Sequence, residues 1–283
     1  MSEYHDIAPL SAMNCEYRFF GLEGFFAGAH DAGYEACELW TGPMHYFVDY
    51  QGHDSLEEIK ALECHYGVKV IGVCPEQTNP KPYNVASRDR RMRERTCSYF
   101  RNVIDVACEL GAHQIVATSG WGYLDEPRAD AWERSVAMLH RIGSYAQRRG
   151  MPIAIEALQE SETNLVHTTA ELSRLIEEAR SPALKVCLDM GTMWAAGETI
   201  DDYFDVFGSD VIHAHFVDCG DWSHVAWGDG KRDMAADLTR FRARGYEGFL
   251  SVETVDSKHF ADPAAADART MSRYHEAVRE LLP

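Results

Sequence analysis

The sequence predicts one (β/α)8 barrel, a single domain over residues 1–283, on three observations. Short β-rich apolar runs alternate with longer helix-like stretches about eight times, the rhythm of a (β/α)8 chain of this length. Several runs are continuously apolar, as in Val68-Lys69-Val70-Ile71-Gly72-Val73 and Gln114-Ile115-Val116-Ala117, which suits parallel strands covered on both faces. No Ser/Gly-rich, Pro-rich or like-charged tract separates two halves.

The strands are expected at 8–13, 35–40, 68–74, 113–118, 152–157, 184–189, 211–217 and 248–253. The amphipathic stretches fall at 22–32, 54–65, 88–111, 128–149, 168–179, 201–207, 232–244 and 263–281. The first and third end in Ala32-Gly33-Tyr34 and Leu110-Gly111-Ala112. The fourth and seventh end in Arg149-Gly150-Met151 and Arg244-Gly245-Tyr246, so a residue suited to the left-handed C-cap precedes the next strand in all four cases. Ser55-Leu56-Glu57-Glu58-Ile59-Lys60-Ala61-Leu62 carries the i, i+3, i+6 apolar spacing of a surface helix. Thr168-Thr169-Ala170-Glu171 reads as a capping box opening the fifth helix. A doubly wound open sheet is the alternative, but no GxGxxG follows the first strand.

Composition narrows the function. The chain is 46% hydrophobic and 25% charged, ordinary for a globular protein, with a net charge of −18 that repels phosphate backbones and argues against a nucleic-acid partner. No run approaches the ~20 apolar residues of a membrane helix. The start, Met1-Ser2-Glu3-Tyr4-His5-Asp6, lacks a signal peptide's basic and apolar regions, so a cytoplasmic protein without a membrane partner is expected. The eight cysteines form no CxxC pair and mostly sit in apolar runs such as Val186-Cys187-Leu188, which reads as reduced core filling.

Barrel active sites lie at the carboxyl ends of the strands. Four successive strands end in a polar group after an apolar run: Ile155-Glu156, Leu188-Asp189, His213-Ala214-His215 and Val252-Glu253. Taken singly, such a carboxylate is more often a cap or ion-pair partner, and such a histidine a core residue. Three carboxylates and an imidazole converging on one mouth repel one another unless a cation sits among them, and this donor set suits Mn²⁺, Co²⁺, Mg²⁺ or Zn²⁺. The pleat does not separate His213 from His215, because both point to the same face.

The Glu–Asp–His–Glu pattern on strands five to eight resembles the xylose isomerase-like barrels, the sugar phosphate isomerase/epimerase superfamily. Glu156-Ala157-Leu158-Gln159-Glu160-Ser161-Glu162 is similar to the ketose 3-epimerase motif, with a second Glu six residues beyond the metal-binding one. His213-Ala214-His215-Phe216-Val217-Asp218 resembles that family's seventh strand, which implies His215 as the ligand. Pro75-Glu76-Gln77-Thr78-Asn79 with Pro82-Tyr83-Asn84 looks closest to the fructoselysine 3-epimerase type. Thr192 and Asp221 stand where tagatose- and psicose-type epimerases carry a substrate-binding His and Arg, so their free-ketohexose pocket is not reproduced. Thr192 and Gly228-Asp229-Gly230 also lack ligands that the superfamily's DNA-repair members need.

The resemblance implies one divalent ion, Mn²⁺ foremost, on Glu156, Asp189, His215 and Glu253. It implies a sugar substrate and a homo-oligomer. Proton abstraction next to a carbonyl needs such a Lewis acid to stabilise the enediolate, and two carboxylates, Glu156 and Glu253, to work on opposite faces of one carbon. Glu162 and His224 are candidate substrate contacts. Trp40 and Trp121 are candidate sugar-stacking faces, with packing as the plainer reading, and His45 and Glu76 are further pocket candidates. The alternative is a lyase on the same scaffold, resembling inosose dehydratases or the large subunit of a C-glycoside deglycosidase, which works with a small partner subunit.

Overall fold

The computed structural model describes residues 7–282; the amino-terminal hexapeptide read above lies outside them. Eight parallel strands close into a barrel in sequence order. They are β1 (Leu10–Met13), β2 (Ala36–Trp40), β3 (Lys69–Cys74), β4 (Gln114–Thr118), β5 (Ile153–Glu156), β6 (Leu184–Asp189), β7 (Val211–His215) and β8 (Leu250–Ser251). Each expected run contains its strand, and the inward and outward faces are both buried, which is why the runs read as continuously apolar. The eighth is shorter than expected. Its ladder stops at Ser251, so Glu253 stands two residues past the strand rather than at its end.

The outer layer is α1 (Leu22–Ala32), α2 (Glu57–Tyr66), α3 (Arg90–Leu110), α4 (Arg128–Arg149), α5 (Thr169–Ala179), α6 (Met190–Ala195), α7 (Ile200–Phe207), α8 (Met234–Ala243) and α9 (Pro263–Leu281). The short α6, directly after β6, was not expected. Asp189 caps it by accepting from the Thr192 N–H at 2.6 Å, so the residue that ends the strand also starts a helix. The box expected at Thr168 forms by halves. Thr168 Oγ1 accepts from the Glu171 N–H, but Glu171 accepts from His167 N–H instead. A complete capping box occurs at Thr199 and Asp202 of α7. Six cysteines are buried, while Cys64 is exposed and Cys108 partly so. Among the described residues, no helix is long and apolar enough to cross a membrane.

Candidate active site

In-register pairing brings the strand ends level: Glu156 pairs with Cys187, Asp189 with His215, and His215 with Ser251. The result is a convergence of charge. His215 is fully buried, and its Nδ1 lies 2.6 Å from Glu156 Oε1, 3.1 Å from Glu253 Oε2 and 3.5 Å from Asp189 Oδ2. One ring nitrogen has one proton to give and three carboxylates around it. Donor atoms of Glu156, Asp189, His215 and Glu253 all lie within 4.8 Å of one another.

Two other groupings overlap this one, Cys187-His213-His215 and Glu38-Cys74-His215. Chemistry separates them. Burial pushes the Cys187 and Cys74 thiols well up, so both stay protonated and are poor ligands. His213 has both nitrogens engaged, Nδ1 with Gln114 Nε2 at 3.0 Å and Nε2 with Glu38 Oε2 at 2.7 Å. The three-oxygen, one-nitrogen set fits a hard or borderline divalent cation, and its carboxylates open into the cavity.

Electrostatics within the set are uneven. Burial pushes the Glu156 carboxyl well up despite His215 beside it. Burial acts the same way on Asp189, but His224 and His215 outweigh it and hold its carboxyl well below the usual range. His224 Nε2 lies 2.8 Å from Asp189 Oδ2. Burial favours the neutral ring, yet Asp189, then Glu253 and Glu162, push its pKa up to about 10. His224 takes a left-handed φ of 55° and packs where a Cβ on Gly191 would come within 2.3 Å of its ring, so any side chain at Gly191 would have to displace that ring.

Behind the set runs a polar chain that sequence reasoning missed. Glu38, on β2, is fully buried; it meets His213, and its Oε2 lies 3.3 Å from His215 Nε2, a contact not aligned as a hydrogen bond. Burial would raise the Glu38 carboxyl, but His213 and His215 together hold it well below the ordinary value. A register shift between Cys37 and Glu38 marks a bulge there, the usual device for re-aiming a strand side chain. Gly72 on β3 makes room, since a Cβ there would meet Gln114 Nε2 at 2.4 Å. The signals were present, a lone Glu and a lone Gly inside apolar runs, but nothing local connects them.

The cavity measures about 400 Å³ and is lined by Glu156, Asp189 and Glu253 at its floor, with Glu162, His224, Trp40 and Glu76 also on its wall. Glu162 Oε2 accepts from the Gln159 N–H at 3.2 Å, and burial raises its carboxyl. Glu76 pairs with Lys81 at 2.6 Å. Two candidates fall elsewhere. His45 is buried behind the wall, its nitrogens occupied by Asn14 Nδ2 at 2.7 Å and by the carbonyls of Tyr17 and Phe20, so it organises the β1–α1 loop. Trp121 is not on the cavity wall; its backbone is clasped by the Asn84 amide and its ring packs on Tyr123. Arg18, Lys81, Gln77, Gln159 and Ser223 line the cavity without having been singled out.

Comparison with known proteins agrees with this geometry. The family profile described as xylose isomerase-like TIM barrel matches residues 26–275. Fructoselysine 3-epimerase of Shigella flexneri is 30% identical over 272 residues, covering 95% of this chain and 96% of that protein. L-ribulose 3-epimerase of Mesorhizobium japonicum is 27% identical over 66% of this chain and 63% of its own. The crystal structure of a 3-keto-D-glucoside 4-epimerase from E. coli superposes with a TM-score of 0.77 at 18% identity, covering 95% of this chain and 99% of that one, a likeness of fold.

Proposed function

The chain belongs to the xylose isomerase-like TIM-barrel family, and from that premise we propose that it is a metal-dependent sugar epimerase of the 3-epimerase type, acting on a ketose or ketose conjugate. The observation that carries this reading is the pair Glu156 and Glu253, three strands apart round the barrel, flanking one convergent donor set at the floor of a cavity. Glu156, Asp189, His215 and Glu253 would hold the cation, Mn²⁺ foremost. Bound there, it supplies Lewis-acid stabilisation of the negative charge that develops on the substrate's oxygens.

The glutamates move the proton. One carboxylate takes the proton from the carbon beside the carbonyl, and the C–H electron pair shifts into the bond towards the carbonyl carbon as its oxygen gains charge. The other glutamate, entering protonated, returns a proton to the opposite face, and the electron pair returns to form the new C–H bond. The two exchange protonation states, so the reverse reaction or solvent exchange resets them. Glu162 and His224 orient substrate hydroxyls above the floor. We place the enzyme in the cytoplasm as a homo-oligomer.

Incubation with candidate ketoses and fructosyl conjugates in D₂O, followed by NMR, tests the reading. Deuterium entering one carbon with inversion is expected. Departure of a leaving group, water or an aglycone, would replace epimerase with lyase, and no exchange in any ketose would overturn both.

A further inference from the structure

The cavity wall carries five carboxylates, on Glu76, Glu156, Glu162, Asp189 and Glu253, against Arg18, Lys81 and His224. Lys81 is spent on Glu76 at 2.6 Å and His224 on Asp189 at 2.8 Å. Arg18 is different. Its Nε donates to the Cys15 carbonyl at 3.1 Å, and its guanidinium carbon lies 4.3 Å from the Phe260 ring centre and 5.7 Å from that of Trp40. Among the described residues, neither Nη group has an acceptor, and no carboxylate pairs with it. A flexible cation in so acidic a cavity ordinarily collapses onto a carboxylate. Here two aromatic faces and one backbone carbonyl hold it apart, half-buried, with the planar fork of the guanidinium free.

We propose that Arg18 is an oxyanion subsite, so that the substrate is a ketose conjugate carrying a carboxylate or phosphate away from its reacting carbon. The inference rests on the ketose reading above and deepens it. The floor holds the carbonyl and its neighbouring hydroxyl, while Arg18, on the β1–α1 loop at residue 18, meets the far end of a substrate longer than a free sugar. A free guanidinium fork matches two oxygens of one anion, and the pinned orientation reduces the entropy lost on binding. Trp40, its ring centre 5.7 Å from the guanidinium carbon, also lines the cavity beside it.

The test compares fructosyl-glycine, its neutral glycinamide counterpart and fructose 6-phosphate, each by deuterium exchange kinetics and by calorimetric binding to wild type, Arg18→Leu and Arg18→Lys. Wild type is expected to favour a charged probe over the amide by about tenfold to a hundredfold, expressed in KM rather than kcat. The stronger of the two charged probes identifies the anion as carboxylate or phosphate. Arg18→Leu should erase the preference, and Arg18→Lys should restore part of it, since an ammonium keeps the charge but not the fork. Equal affinity of wild type for amide and charged probes, or equal losses on all three in Arg18→Leu, would overturn the subsite while leaving the epimerase standing. If no probe exchanges deuterium, the ketose reading fails, and the calorimetric ranking of carboxylate against amide still decides Arg18.

Discussion

Two groups of largely buried carboxylates in this protein keep different company. At the barrel floor, Glu156, Asp189 and Glu253 surround one ring nitrogen of His215, and His224 closes on Asp189. Between the β1–α1 turn and α9, Glu16 and Asp267 are both buried, and among the described residues no imidazole contacts them. There Tyr17 donates its hydroxyl to Asp267 Oδ2 at 2.7 Å. Burial, with each acid's charge on the other in Glu16's case, pushes Glu16 up to about 10 and Asp267 up to about 7. One group gathers histidines around it, which hold Asp189 well below the usual range although Glu156 is raised; the other has no such partner, and both its carboxyls are raised. Buried acids alone therefore do not mark a site. What marks it is the company of histidines and an open cavity wall.

The largest contrast is in turnover. Glu156→Gln and Glu253→Gln each keep shape and one ligand oxygen but remove a base, and losses of at least ~10²–10⁴-fold are expected. If they serve opposite faces, Glu156→Gln exchanges deuterium into one epimer only and Glu253→Gln into the other. Metal content is measured on both. Equal exchange of the same epimer by two metal-replete variants would defeat the two-base scheme.

Cation binding separates the groups next. Mn²⁺ at a hundredfold over its Kd should raise wild-type stability by ~2.7 kcal/mol, followed as Tm against metal concentration. Glu38→Gln, which disturbs the contacts orienting His213 and His215, should move that titration ~10–100-fold to higher Mn²⁺. Asp267→Asn should titrate as wild type does. A Glu38 variant indistinguishable from wild type would reduce that residue to packing.

The last contrast concerns pH. Asp267 has a folded pKa of about 7, above the ~3.9 of an unfolded aspartate, so the folded chain holds the proton more tightly. The stability this contributes is full below the unfolded value and is lost as pH rises through about 7. Asp267→Asn carries no proton to lose. It should match wild type near pH 4 and exceed it progressively as pH rises towards 8, read as Tm against pH for both chains. A wild-type melting curve that stays flat against the variant's across this range would mean the aspartate is charged in the fold.

Local pattern sufficed wherever the information was local. Period and glycine punctuation placed eight strands and the helices between them, because a parallel strand must be apolar on both faces and a helix must end. Glu156, Asp189 and His215 were legible because barrel topology places strand ends at one mouth, and a polar residue closing an apolar run is visible in four letters. Which histidine faces the mouth needed the family likeness, since both lie on one face of β7. Other features depended on residues far apart in the chain. Glu38 meets His213 across 175 positions, through a bulge in β2 and a space that Gly72 leaves open. His45 and Trp121 looked like pocket residues by position, yet their hydrogen bonds and packing turn them to the loops. Arg18 stands free because Phe260, on the far side of the chain, covers it. Periodicity is set by each residue's neighbours in sequence, and so it can be read there; the direction of a side chain inside a closed barrel is set by whatever the closure brings opposite, and only the tertiary structure decides that.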